Sequence, residues 1–225
     1  MYIMITNRCN MHCEHCCNSC TDKGVDMTKE TFLNVCKITD YYEMDVSLGG
    51  GEPTLHPLFW EFLGLALRFS NSEMPPFVAT NGTMERDAMM LARLASRGVL
   101  SCRLSYDQFH DKSMVSPLVL NAFNLGKRKP FEYRSSLDVH SYDYRDVVTE
   151  SYRTSATGRA LNWGDDYCVC EDWVVAPNGD LFTCGCRTKC VGNVNQSESL
   201  QDVDWYQERC CHRFGQGAEA EEEAV

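Results

Sequence analysis

Tyr2-Ile-Met-Ile-Thr6, followed almost at once by Cys9-Asn-Met-His-Cys13-Glu-His-Cys16, is the stretch on which the reading of this chain turns. The first five residues read as a β-strand, and the three cysteines leave it on a loop at spacings of four and three. A four-iron, four-sulfur cluster usually takes four thiolates, so three leave one iron coordinatively open, as a catalytic metal site requires. Cys17 and Cys20 follow closely and are within reach as a fourth ligand. A zinc site using some of these cysteines with His12 or His15 is the other chemistry the residue types allow.

The chain carries fourteen cysteines in 225 residues, and they cluster. Cys9, Cys13, Cys16, Cys17 and Cys20 form a front group; Cys168, Cys170, Cys184, Cys186, Cys190, Cys210 and Cys211 form a back group. Cys36 and Cys102 stand alone in apolar segments and are expected to be small core residues. The first residues are too short an apolar run for a signal peptide, and no stretch is long and apolar enough for a membrane span. A cytoplasmic protein is therefore expected, and in a reducing compartment clustered cysteines point to metal rather than disulfides. The net charge of −11 disfavours bulk nucleic acid as a partner. Four of the glutamates lie in residues 215–225, which read as an acidic, disordered tail.

Outward from the first strand, β-like runs alternate with helical patterns. Helical spacing covers residues 28–42, with Asp26 or Thr28 as N-cap, then 57–69 with Pro57 in its first turn, and 85–96 stopped by Gly98. Strands are expected at 45–48, 77–79, 100–105 and 133–139, and a sixth near 157–161. Residues 111–129 read as a helix broken by Pro117. Such alternation implies βα units around a parallel sheet, and six units are too few for a closed eight-stranded barrel. The expected fold is α/β, a partial (β/α)6 barrel over residues 1–164, with a cysteine-rich lobe at 165–214.

The Cys-x3-Cys-x2-Cys run directly after a first strand resembles the cluster motif of the radical S-adenosylmethionine (SAM) superfamily, and further segments extend the likeness. Gly50-Gly51-Glu52-Pro53 follows the second strand, where that family places its GGEP motif. There, a glycine-rich strand end lets backbone carbonyls approach an ammonium, and Glu52 adds a complementary charge. Thr80-Asn81-Gly82-Thr83 ends the third strand and Ser105-Tyr106-Asp107 the fourth, with Phe109-His110-Asp111 beyond it. Each alone is an ordinary turn; in order at successive strand ends they mark an active-site edge. The resemblance implies that Cys9, Cys13 and Cys16 hold a 4Fe-4S cluster whose open iron takes the amino and carboxylate groups of SAM. It implies electron delivery by a donor such as flavodoxin or ferredoxin, and cleavage of SAM to a 5′-deoxyadenosyl radical. Gly50, Gly51, Glu52, Pro53, Asn81, Ser105, Asp107 and Arg159 are the implied cofactor-binding residues.

The segment from Trp173 to Cys184 reads as two short strands joined by an Asn178-Gly179 turn. With Cys168 ahead of it, the segment resembles the opening of the SPASM and shorter twitch extensions of this superfamily, which bind auxiliary clusters. Thr157-Gly158-Arg159-Ala160 and Val191-Gly192-Asn193-Val194 continue that likeness, whereas the second SPASM cysteine run is absent. A single auxiliary 4Fe-4S cluster is implied, on Cys168, Cys184, Cys190 and Cys210 or its neighbour Cys211; a structural zinc knot is the alternative. The resemblance leaves two substrate classes. One is a peptide or protein undergoing oxidation or crosslinking; the other is a small molecule or modified nucleotide undergoing oxidation or rearrangement. Asp107, His110, Tyr142 and Arg153 are candidate substrate-side acids and bases, and a cluster-binding module without SAM chemistry is the contrasting possibility.

Overall fold

A computed structural model describes residues 1–69, 74–123, 143–150, 157–162, 173–187 and 189–205. β1 (Tyr2–Thr6) alternates its side chains across a sheet. Ile3 and Ile5 enter the buried core with Phe32, Val35, Leu48 and Phe62, and Tyr2 and Met4 take the other face. α1 (Lys29–Tyr41) starts at Thr28, whose hydroxyl accepts the Thr31 N–H at 3.1 Å. Its buried face, Phe32, Val35 and Cys36, meets that of α2 (Phe59–Phe69) through a Phe32–Phe62 stack with centroids 4.1 Å apart. Burying each such ring contributes roughly 1.5–3 kcal/mol relative to exposure. β2 (Ser47–Gly50), β3 (Phe77–Thr80), α3 (Glu85–Ala95), β4 (Ser101–Ser105), α4 (Pro117–Ala122) and β5 (Arg145–Val148) complete an α/β arrangement.

β1 to β5 run parallel, and the strands among the described residues lie in the order β5-β4-β3-β2-β1-β6-β7-β8. β6 (Val174–Val175) pairs in parallel with β1, and β7 (Asp180–Phe182) and β8 (Cys190–Asn193) follow antiparallel. The fold is thus α/β with a mostly parallel sheet. The expected hairpin is present, turning at Asn178-Gly179 with Gly179 at φ +91°. Cys36 and Cys102 are buried in the core, as their settings implied.

Several expectations change. β2 reaches Gly50, so Gly49 and Gly50 belong to the strand rather than following it. α2 begins at Phe59, after a short 3-10 turn at Pro53–Leu55. Pro117 starts α4 instead of breaking a helix: Ser116 caps it, and a proline at the first position lacks only an N–H that would be unpaired there. The segment expected as a sixth strand is a 3-10 helix, Gly158–Asn162, because Gly158 turns at φ +57°. The strand beside β1 is β6, from beyond residue 165, so the hairpin is continuous with the main sheet. The strand expected at 133–139 and the tail 215–225 lie outside the described residues; β5 forms at Arg145–Val148, where Arg103 on β4 pairs with Asp146 at 2.9 Å.

Candidate functional site

Parallel strands send their C-terminal ends to one edge of the sheet, and the loops there gather the sequence motifs. The cysteine loop leaves β1 at that edge and is pinned at both ends. Arg8 makes two bonds to the Asp26 carboxylate, 2.9 and 2.8 Å, and a third to the Leu55 carbonyl at 2.7 Å. The Cys9 N–H donates to the Thr21 carbonyl at 2.7 Å, which closes the loop on itself. β2 approaches so closely that a Cβ on Gly50, at φ +133°, would stand 1.9 Å from the Thr6 carbonyl oxygen. Only glycine fits there. Gly51 is as tightly placed, with Arg8 O and Cys9 Cβ as its neighbours.

Cys9, Cys13 and Cys16 all lie partly buried on this loop, and their charges act on one another. Burial pushes the Cys9 thiol up to about 11, against a hydrogen bond from the Met11 N–H. Cys16 is held down at about 5, chiefly by a hydrogen bond from the Cys20 side chain, with the N–H groups of Cys20 and Asn18 and the Arg159 cation assisting. A thiolate is the form that ligates metal, so Cys16 is prepared for that task by its surroundings. Cys20 is buried, and the same contact with Cys16 pushes its own thiol up, which favours the uncharged form. Among the described residues, the group of three metal-capable side chains whose donor atoms all lie within 4.8 Å of one another is His15, Asp107 and His110. The front thiols are not drawn together as tightly as ligands of one tetrahedral zinc, whose sulfurs at Zn–S of about 2.3 Å would sit about 3.8 Å apart. Three cysteine thiols on one loop are a donor set that a 4Fe-4S cluster accepts.

The remaining motif residues surround the loop. Glu52 is 1% exposed and accepts from Thr54 N–H (3.2 Å), Thr54 Oγ1 (2.5 Å), Thr80 Oγ1 (2.9 Å) and Asn81 N–H (2.6 Å). Burial raises its pKa, and these four bonds oppose the rise. Glu52 thereby latches the end of β2 to the end of β3. Pro53 is buried at the head of the 3-10 turn. Asn81 donates to Asn10 Oδ1 at 3.0 Å and lies 3.8 Å from the Cys9 sulfur, and Thr83 also reaches Asn10. Ser105 ends β4.

Asp107 is buried and accepts the Phe109 N–H and the His110 ring nitrogen Nδ1, at 2.9 and 2.6 Å. Burial disfavours the charged form of His110, but its hydrogen bonds to Asp107 and to Cys13 prevail and raise its pKa to about 9. His15 stacks on Phe109 at 4.5 Å and lies 3.8 Å from Asp107; burial lowers its pKa, partly offset by that carboxylate. Arg159 donates Nε to the Cys13 carbonyl and Nη1 to the Cys20 carbonyl. The Arg8–Asp26 pair and Asn10 were not among the expected site residues. The charges of Arg8 and Asp26 are eighteen positions apart, and Asn10 occupies a motif position that any residue can fill.

In the back group, Cys184 and Cys186 are buried, whereas Cys190 is exposed at the start of β8. Cys168, Cys170, Cys210, Cys211, Tyr142 and Arg153 lie outside the described residues.

Three comparisons bear on this site. The sequence profile of the Radical SAM superfamily matches residues 3–149. A tungsten-containing aldehyde ferredoxin oxidoreductase cofactor-modifying protein of Pyrococcus furiosus is 30% identical over 170 residues, 68% of this chain and 45% of that protein. The mycofactocin maturase MftC of Mycobacterium ulcerans is 30% identical over 105 residues, 46% of this chain and 27% of that one. The chain thus spans less than half the length of the curated relatives it matches. Among solved structures, BtrN in complex with AdoMet and 2-DOIA superposes with a TM-score of 0.59 at 15% identity, over 92% of this chain and 82% of that one. anSMEcpe with bound AdoMet and Kp18Cys peptide gives 0.53 at 16% identity, over 89% and 80%. At such identities the likeness is one of fold. No helix among the described residues is long and apolar enough to cross a membrane.

Proposed function

Since the chain belongs to the radical SAM superfamily, with 4Fe-4S and SAM as its cofactors, we propose that it cleaves SAM reductively and abstracts a hydrogen atom from a peptide or protein. A bound, reduced cluster would supply the single electron that breaks the C5′–S bond of SAM, giving methionine and the 5′-deoxyadenosyl radical that abstracts hydrogen. The chain's residues have narrower tasks. Cys9, Cys13 and Cys16 hold the cluster; Gly50 and Gly51 let the end of β2 close against Thr6 and Arg8 at the entry to the cysteine loop; Ser105 and Asp107, at and just beyond the end of β4, are the cofactor-binding residues of the next strand end. Asp107 and His110, hydrogen-bonded at 2.6 Å, serve as an acid–base pair. The observation that carries this reading is the convergence of the loop after β1 with the ends of β2 and β3 through Glu52, Asn81 and Asn10.

The peptide reading draws on a peptide-bound fold relative and a maturase among the sequence relatives, and a net charge of −11 favours a basic partner. The 2-DOIA-bound relative has the highest TM-score of the two and favours a small molecule as the second reading. We read β1 to β5 with their helices as a partial barrel, and residues 165–214 as a twitch-like lobe whose auxiliary cluster uses Cys168, Cys184, Cys190 and Cys210. An external flavodoxin or ferredoxin serves as electron donor. We place the protein in the cytoplasm, a reducing compartment in which clustered cysteines hold metal rather than form disulfides.

Anaerobic reconstitution followed by dithionite and SAM tests the core of this reading. 5′-Deoxyadenosine is expected from the wild type and Cys17→Ala and is abolished in Cys13→Ala. An iron-loaded wild type yielding no SAM fragment would overturn it.

A further inference from the structure

We propose that Thr157, Gly158 and Arg159 form a brace on the cysteine loop, with Arg159 as the positioning residue for the cluster. This rests on Cys9, Cys13 and Cys16 being the cluster ligands. The loop from Cys13 to Cys20 has little regular structure of its own. Its internal backbone–backbone bonds form two turns, Cys16 N–H to Cys13 O and Ser19 N–H to Cys16 O, both 3.2 Å, and Ser19 stands at φ +51°. Such a loop leaves carbonyls that need donors from elsewhere.

Three residues about 140 positions later supply them. Arg159 Nε donates to the Cys13 carbonyl at 2.9 Å, its Nη1 to the Cys20 carbonyl at 3.0 Å, and its backbone N–H to the Cys16 carbonyl at 3.1 Å. Thr157 Oγ1 donates to the Cys17 carbonyl at 3.0 Å. Four cysteine carbonyls are thereby held by one short segment. Gly158 makes the approach possible: a Cβ there would meet Cys17 O at 2.6 Å and Cys16 O at 2.9 Å, and φ is +57°. Both obstacles are backbone atoms and have no rotamer to yield.

The guanidinium suits this task because its planar fork spans two carbonyls at once, which a lysine ammonium on a flexible stem does not do. Its charge is permanent and is fixed against the cysteine loop by those two bonds. A fixed cation stabilises the reduced cluster, which carries one more negative charge, and so raises its potential. Arg159 therefore acts in two separable ways, by shape and by charge.

Variants of the full chain separate the two. Iron loss to excess chelator should be about fivefold faster in Arg159→Lys and Gly158→Ala than in wild type. The one-electron midpoint of the SAM-sensitive EPR signal should hold in Arg159→Lys. In Arg159→Gln it should fall by about tenfold in the reduction equilibrium, ~59 mV. Should Gly158→Ala not fold, Thr157→Val, which removes a single donor, is expected to lose iron about twofold faster. Wild-type rates of iron loss in the Lys and Val variants, or an unmoved midpoint in the Gln variant, would overturn the brace. A wild type lacking any SAM-sensitive iron signal would instead defeat the cluster assignment.

Discussion

Asp26 accepts Arg8 Nε, Arg8 Nη2 and the Thr6 hydroxyl at 2.9, 2.8 and 2.6 Å, so one carboxylate fixes how the chain enters the cysteine loop. Its partial burial pushes its pKa up, but the bonds from Arg8 and Thr6 prevail and hold it below the usual carboxylate range. A depressed folded-state value contributes stability above the unfolded-state pKa, near 3.9, and that contribution fades as pH falls through the folded value. Asp26→Asn is therefore expected to cost about 1 kcal/mol at pH 7, since the two side chains of the pair are only 30% and 29% exposed. It should also flatten the acid limb of a urea-denaturation series below about pH 5, whereas an unchanged limb would assign acid sensitivity to other carboxylates. At this scale the sequence shows which residue types are present better than what they touch. The glycines and Pro53 were legible because backbone geometry demands them. The Glu52 latch was not, because its donors Thr80 and Asn81 arrive from the next strand, nearly thirty positions on.

Elements with a strong local signal were readable. α1 and α3 have apolar faces at helical spacing, and the hairpin between β6 and β7 announces itself by Asn178-Gly179. β5 was not, since Arg-Asp-Val-Val lacks strand alternation and is a strand only because β4 supplies its partner. The hairpin offers a sharp test at this scale. Gly179 stands at φ +91°, and a Cβ there would meet Asn195 Nδ2 at 2.6 Å and Asn193 Oδ1 at 2.9 Å. Gly179→Ala is expected to destabilise the chain by more than about 1 kcal/mol, read as a lower urea midpoint with the slope unchanged. A midpoint equal to wild type would mean that the turn relaxes without strain.

For the molecule as a whole, parallel βα organisation followed from alternation of elements, but strand order did not. Pairing of β6 with β1 joins residues more than 170 positions apart, and no local pattern encodes such a contact. The proposed division of labour between two clusters is also a property of the whole. Cys184→Ala should lower iron content while leaving SAM cleavage in place, because Cys184 lies in the segment after β7 and the front thiols lie after β1. Full iron in that variant would instead favour zinc or an empty knot in the back group. The β1–β6 pairing has one more result, for biosynthesis. While the ribosome is still translating the middle of the chain, one side of β1 has no neighbour, although its other side can already hold β2. At roughly 5–20 residues per second, that unpaired edge persists for on the order of ten to thirty seconds before Val174 emerges. A nascent chain with an apolar strand open for that long invites wrong partners, which makes chaperone shelter a natural need of this protein in the cell.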